Sequence, residues 1–278
     1  MIDKNILKKN FSRNAVNYDT YATVQRKMAH ELLKIISFER KDIHDSIDIL
    51  DIGCGTGYFT EQLVRCYPNA NITAVDIAPG MIEYARKKFK SKKIEFLCAD
   101  IEEAEMNRKY DLIVSNATFQ WFNQLEQTII KLDAMLKNNG MLAFSTFGPM
   151  TFCELHRSYK MAGDKLNFET GPLPVQKFLS CEELLGICQK NLVDTSPSSY
   201  KVASLEKHEY EYFDTVRDFL ISVKKIGANN SNCDRRTNPA LIKEMIKIYE
   251  TAFTEGNRIK VTYHCIFLKV EKRKTTPV

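Results

Sequence analysis

Residues 51–58, DIGCGTGY, follow the apolar run Ile47, Ile49 and Leu50 and set an acid before three glycines at alternate positions, Gly53, Gly55 and Gly57. A glycine turn after the first strand of an open α/β sheet lets backbone N–H groups approach a nucleotide-like ligand, because no Cβ stands in the way. The dinucleotide fingerprint G-x-G-x-x-G needs its third glycine at position 58, where Tyr58 stands. The acid points the same way: Asp51 would repel a pyrophosphate and suit a cofactor bearing an ammonium and a sulfonium, as S-adenosylmethionine does. Asp76 and Asp100 end the next two predicted strands, in AVDIA and LCAD. There Asp76 is placed to accept from two ribose hydroxyls and Asp100 from an adenine amino group, with Ile77 and Ile101 as their neighbours. An aspartate after a strand is as often a turn or cap residue, so the reading rests on the ordered series rather than on any one acid.

Those loops need strands and helices to carry them. Val24, Met28, Leu32, Leu33 and Ile36 recur at helical spacing, which predicts an amphipathic helix over residues 20–36 laid on the body. SIDILDIG, NITAVDI, KIEFLCAD, DLIVSN and GMLAFSTFG read as strands, with YFTEQLVRCY, PGMIEYARKKF and LEQTIIKLDAML as helices among them. The alternation predicts a parallel, doubly wound α/β sheet. Beyond Phe147 the pattern loosens around Gly163, Gly171, Pro172 and Pro174. SCEELLGICQKN then reads as a helix, EKHEYEYF as a strand, TVRDFLISVKKIG and PALIKEMIKIYETAF as helices capping the sheet's C-terminal edge, and IKVTYHCIFLKVEK as a last strand. The expected divisions are an N-terminal helical segment over the site at 1–40, a cofactor-binding core at 41–148, further core with cap insertions at 149–258, and a strand and tail at 259–278.

A chain of 278 residues, 44% hydrophobic and 27% charged, is long enough for one elaborated domain, and no stretch approaches the ~20 apolar residues that cross a bilayer. Charges interrupt the first residues too often for a secretory signal, so a cytoplasmic protein is expected. Eight cysteines without a C-x-x-C pair read as reduced thiols rather than metal ligands. A net charge of +5 is too modest to imply nucleic acid, while an acidic protein partner stays open.

The motifs DIGCGTG, AVDIA and SNATFQW resemble those of class I S-adenosylmethionine-dependent methyltransferases, which implies a Rossmann-like, seven-stranded, mostly parallel sheet. SNATFQW lacks the N/D-P-P-Y/F pattern of enzymes that methylate planar nitrogens, which turns expectation toward an oxygen or carbon acceptor. FSRNAVNYDTYATVQRKMA, KKIGANNSN and TYHCIFLKVEK are similar to the malonyl-acyl-carrier-protein O-methyltransferases of biotin synthesis, across nearly the whole chain. That resemblance implies methylation of the free carboxylate of a malonyl group on acyl carrier protein, with S-adenosylhomocysteine as product. The stretch KMAGDKLNFETGPLP departs from any family motif.

A malonyl carboxylate, with a pKa of ~4 or below, is already a nucleophile at neutral pH, so the chain must place and desolvate it rather than deprotonate it. Tyr18 and Trp121 are candidates for aromatic walls around a sulfonium, with Gln120 beside them. Gln25, Ser115 and Asn116 complete the expected cofactor set, and Arg13, Asn116 and His264 are candidates to hold the acceptor's other oxygen. Lys224, Lys225, Arg235, Arg236, Lys243 and Lys247 are candidates to dock the acidic helix of a carrier protein that bears its malonyl group on a phosphopantetheine arm. Competing readings are an O-methyltransferase for a free small acid, a C-methyltransferase for a quinone precursor and a non-catalytic cofactor-binding module; a coenzyme A thioester in place of the carrier also stays open.

Overall fold

Strands Asp48–Ile52 (β1), Asn71–Asp76 (β2), Ile94–Cys98 (β3), Tyr110–Ser115 (β4) and Leu136–Phe147 (β5) form a parallel sheet in the order β3-β2-β1-β4-β5. The computed structural model describes residues 1–37, 46–89, 94–169, 177–193, 199–228 and 238–273. Ile49, Leu50, Leu112, Ile113, Val114, Leu142, Ala143 and Phe144 are fully buried, because helices cover both faces of the sheet. Two long strands, Ser199–Phe213 (β6) and Arg258–Arg273 (β8), continue the sheet antiparallel in the order β5-β8-β6, and the short Thr254–Glu255 (β7) pairs with β8. These elements make the mostly parallel α/β sheet that the alternating pattern predicts.

The pairing of β5 with β8 ends at Phe147 and Cys265, whereas β8 and β6 stay paired out to Ile259 and Phe213. A two-stranded ribbon therefore projects beyond the C-terminal edge of the parallel strands. Helices Val216–Lys225 (α8) and Pro239–Ala252 (α9) pack on it, Phe219, Leu241, Met245 and Tyr249 joining Ile259, Val261 and Tyr263 in one apolar cluster. Thr215 caps α8, and Asn238 followed by Pro239 starts α9. A helix at Cys153–Lys165 (α6), where the sequence pattern loosens, packs against α9. Its buried face mixes Glu154, Leu155, Ser158, Ala162 and Gly163, and that mixture hides the apolar periodicity.

At the N-terminus there are two helices, not one starting at residue 20. Lys4–Tyr21 (α1) begins where Asp3 accepts from the N–H groups of Asn5 and Ile6, and the chain turns at Ala22 into Thr23–Ser37 (α2). The apolar stripe of Val24, Met28, Leu32 and Ile36 belongs to α2 and is buried in the core, with Leu33 partly buried beside it. The first helix instead leans on Pro79–Lys88 (α4), where a Cβ at Gly80 would lie 2.6 Å from the carbonyl oxygen of Ser12. Gly80→Ala is expected to push α1 outward and lower stability by about 1–3 kcal/mol. Urea unfolding checks this, and an unchanged midpoint would contradict the close approach.

Candidate active site

The strand order reverses at β1, whose neighbours are β2 on one side and β4 on the other, and there a cleft of about 640 Å³, part of it open to solvent, lies beyond the strand ends. Gly53, Gly55, Asp76, Ile77, Asp100, Ile101, Asn116, Trp121 and Tyr18 line it, as the sequence predicts. The Gly55 N–H donates to Asp76 Oδ2 at 2.9 Å and the Ala78 N–H to Oδ1 at 2.8 Å. Gly55 has φ +55°, and a Cβ there would meet nothing within 4 Å, so the loop presents bare backbone to open space. Gly53, at φ +68°, lies so close to the Thr118 side chain that a larger residue would displace it.

Burial pushes the Asp76 carboxyl up to about 6, held back by its two backbone donors. Asp51 is pushed up to about 7 by its own burial, with the negative charge of Asp76 adding to the rise and a hydrogen bond from Thr60 opposing it. Tyr18 rises well above the ordinary phenol value, through burial and then through the charges of Asp76 and Asp19, so it stays a neutral phenol. Lys4 reaches across the cleft mouth to Asp100 at 3.5 Å and Glu102 at 2.5 Å. The edge of one ring meets the face of the other between Phe11 and Trp121, with centroids 5.7 Å apart.

Several expected contacts fall elsewhere. Asp51 does not line the cleft: it is 1% exposed and accepts from the Thr60 hydroxyl at 2.6 Å, so it bears on the cleft only through its field. Gly57 sits at the start of Tyr58–Cys66 (α3) and faces Phe89. The Ser115 hydroxyl donates to the Ile52 carbonyl and is fully buried between β4 and β1. Gln25 gives only its backbone carbonyl, which accepts from Asn116 Nδ2 at 3.0 Å. Gln120 is a brace, its Nε2 donating to the Ala117 carbonyl and its Oε1 accepting from the Thr146 hydroxyl. His264 is turned to Glu206, 2.7 Å from Nε2, and stacks on His208, because its strand lies beyond β5 from the cleft. Arg13 points away from the cleft toward Lys224 and Lys225, since it falls on the opposite side of α1 from Phe11 and Tyr18. Lys243 and Lys247 are exposed on α9, and Arg235 and Arg236 lie outside the described residues.

Sequence reasoning missed Lys4, Leu7 and Phe11, which line the cleft from α1 together with Tyr18. Their spacing of three, four and seven residues puts all four on one helix face, a signal obscured by the lysines and asparagines between them. Ala117, with φ +52°, was missed as well; its N–H donates to both the carbonyl and the hydroxyl of Ser145.

A neutral nucleoside fits this lining: apolar Ile77, Ile101 and Met81 face it beside two carboxylates that accept hydrogen bonds, and the aromatic rings of Tyr18 and Trp121 suit a sulfonium. Residues 49–140 match the family model described as a methyltransferase domain. Over 273 residues the chain is 55% identical to the malonyl-[acyl-carrier protein] O-methyltransferase of Acetivibrio thermocellus, covering 98% of this chain and 95% of that one. Its identity to the enzyme of the same name from Priestia megaterium is 47% over 276 residues, covering 98% and 99%. Among solved structures, the YcgJ protein of Bacillus subtilis superposes with a TM-score of 0.59 at 15% identity, over 88% of this chain and 99% of that one. The plantazolicin methyltransferase BpumL, solved with S-adenosylhomocysteine, superposes with a TM-score of 0.53 at 17% identity over 98% of both chains, a likeness of fold.

Because Asp51 ionises near 7 when folded and has an ordinary value of 3.8, the folded chain holds a proton between those values that the unfolded chain has released. Stability from this group is full below the ordinary value and is lost as pH rises through the folded one. Denaturation midpoints of the ligand-free protein are expected to fall from about pH 5 to about pH 8, and Asp51→Asn is expected to flatten much of that fall; a variant with the parent's slope would contradict it.

Proposed function

The chain belongs to the malonyl-[acyl-carrier protein] O-methyltransferase family, and from that premise we infer both its reaction and the work of its residues. It transfers a methyl group from S-adenosylmethionine to the free carboxylate of malonyl-acyl carrier protein, giving the methyl ester that leads through pimelate to biotin. The observation that carries this reading is likeness over 98% of the chain, from α1 to the last strand, where the methyltransferase-domain match alone stops at residue 140. No helix among the described residues is long and apolar enough to cross a membrane, and a cytoplasmic site of action accords with a carrier-bound substrate.

Bound S-adenosylmethionine supplies an electrophilic methyl group on a sulfonium. Asp76 would hold the ribose hydroxyls with the lone pairs that Gly55 and Ala78 leave free, and Asp100, with Ile77 and Ile101 in the same lining, would hold the adenine amino group. Tyr18 and Trp121, both in the cleft lining, would offer aromatic faces to the sulfonium and keep water from it, which strengthens every charge interaction inside. Asn116 is fixed by Ser145 at its oxygen and by the Gln25 carbonyl at its nitrogen, and the remaining Nδ2 hydrogen donates to the carboxylate oxygen that does not attack. No general base is required, because the acceptor arrives ionised. Gln120 and Ser115 act through Ala117 and the strand ends rather than on substrate.

Radiolabelled S-adenosylmethionine offered with malonyl carrier protein, malonyl coenzyme A and free malonate side by side is expected to label the carrier substrate foremost; label on free malonate alone would favour the small-acid reading and overturn this one. Trp121→Ala is expected to lower kcat by about 10-fold to 100-fold while the dissociation constant for S-adenosylhomocysteine changes by less than about threefold. An equal loss of both in single-turnover and calorimetric measurements would remove Trp121 from the methyl-transfer site.

A further inference from the structure

Beside the cleft-lining face of α1, Asn10, Arg13 and Asn14 face Ile221, Lys224 and Lys225 of α8 across an open depression of about 750 Å³. Arg217 stands one turn before Ile221 and is exposed, so Arg217, Ile221, Lys224 and Lys225 share one face of α8. The side chains of Arg13, Arg217, Lys224 and Lys225 make no ion pair among the described residues, in contrast to Lys165 with Glu244, Lys207 with Glu31 and Lys260 with Glu255. Unpaired cations around an exposed isoleucine make a surface that is both positively charged and partly apolar. Ile221 exposes 43% of its surface here.

The two walls are rigidly joined. Gly227, at φ +78°, ends α8 against α1, where a Cβ would come within 3.1 Å of the Asn10 carbonyl oxygen and the Phe11 backbone. The next side chain inward is Phe11, which lines the cleft and touches Trp121. The groove and the cleft are therefore adjoining sides of the same helix.

We propose that the groove between α1 and α8 is the docking surface for an acidic helix of the carrier protein, with Arg13, Lys224 and Lys225 meeting its carboxylates and Ile221 packing on its apolar side. The inference rests on the carrier-protein reading of the reaction and adds where the carrier sits. It gives Arg13 a different role from the one its sequence position suggests: it holds the carrier and not the malonyl carboxylate. A carrier seated here would need to pass its arm over only one helix to reach Trp121. Charges at such a rim act mainly on encounter and on salt dependence, and leave the chemical step untouched.

The test compares the full chain with an Arg13→Glu, Lys224→Glu, Lys225→Glu variant, using malonyl carrier protein and a malonyl thioester of N-acetylcysteamine that has no carrier. KM for the carrier substrate is expected to rise at least about 10-fold, kcat and the carrier-free kcat/KM to stay within about twofold, and the salt dependence of carrier binding to flatten. Glutamine at the same three positions, where folding is least disturbed, is expected to give an intermediate rise. Direct titration of the carrier by fluorescence anisotropy keeps the two readings apart. Parent enzyme that methylates the carrier while the variant keeps its KM overturns the docking site alone. Carrier binding that depends on the groove without methylation supports the docking site and overturns the reaction. Neither binding nor methylation overturns both. A larger effect from reversing Lys243 and Lys247 on α9, or tighter binding of single-stranded DNA than of the carrier, would also overturn the docking site.

Discussion

The cleft depends on one carboxylate. Asp76 takes the Gly55 N–H on one oxygen and the Ala78 N–H on the other, and so ties the loop after β1 to the loop after β2 across the point where the sheet changes direction. A buried acid is costly unless donors surround it, and these donors are backbone groups that cannot rotate away. The same two bonds leave lone pairs aimed at the cleft. Behind the loop Asp51, deeper still and bound to Thr60, is made costlier to ionise by its burial and by the negative charge of Asp76. A positively charged ligand offsets that cost, so the pocket's electrostatics favour a sulfonium over any anion.

Around this centre, most polar side chains from the fourth strand and its loop hold backbone rather than ligand. Asn116, Ser145, Gln120 and Thr146 form a chain of hydrogen bonds from α2 to β5, and Ala117 sits among them at positive φ. A strained backbone persists only where its surroundings over-determine it, and here the surroundings are these amides and hydroxyls. Their task is to set Thr118 against Gly53 and to aim Trp121 into the cleft.

α1 gives the molecule two surfaces with one element. Its inner face closes the cleft with Lys4, Leu7, Phe11 and Tyr18, and the outer carries Arg13 toward α8. In the proposed arrangement, a carrier bound outside bears on the helix that covers the cleft.

The sequence by itself determined the parallel sheet, because alternating apolar runs and helical stripes leave few topologies, and it placed Asp76 and Asp100 at the cleft, because a strand's end sets its last side chain beyond the sheet. It also showed Trp121 and Tyr18 as aromatic candidates. Only the tertiary structure decided which polar residues face the ligand. Ser115, Gln25 and Gln120 stand beside the right motifs, yet Ser115 bonds Ile52, Gln25 meets Asn116 and Gln120 meets Thr146, partners far away in the chain whose proximity no local pattern encodes. α6 was hidden because its buried face is half polar, and Arg13 lies toward α8 rather than in the cleft lining because a helix has two sides and the sequence does not say which neighbour each one meets. Period and composition are local properties; the direction of a side chain's partner is set by packing between elements that are distant in sequence.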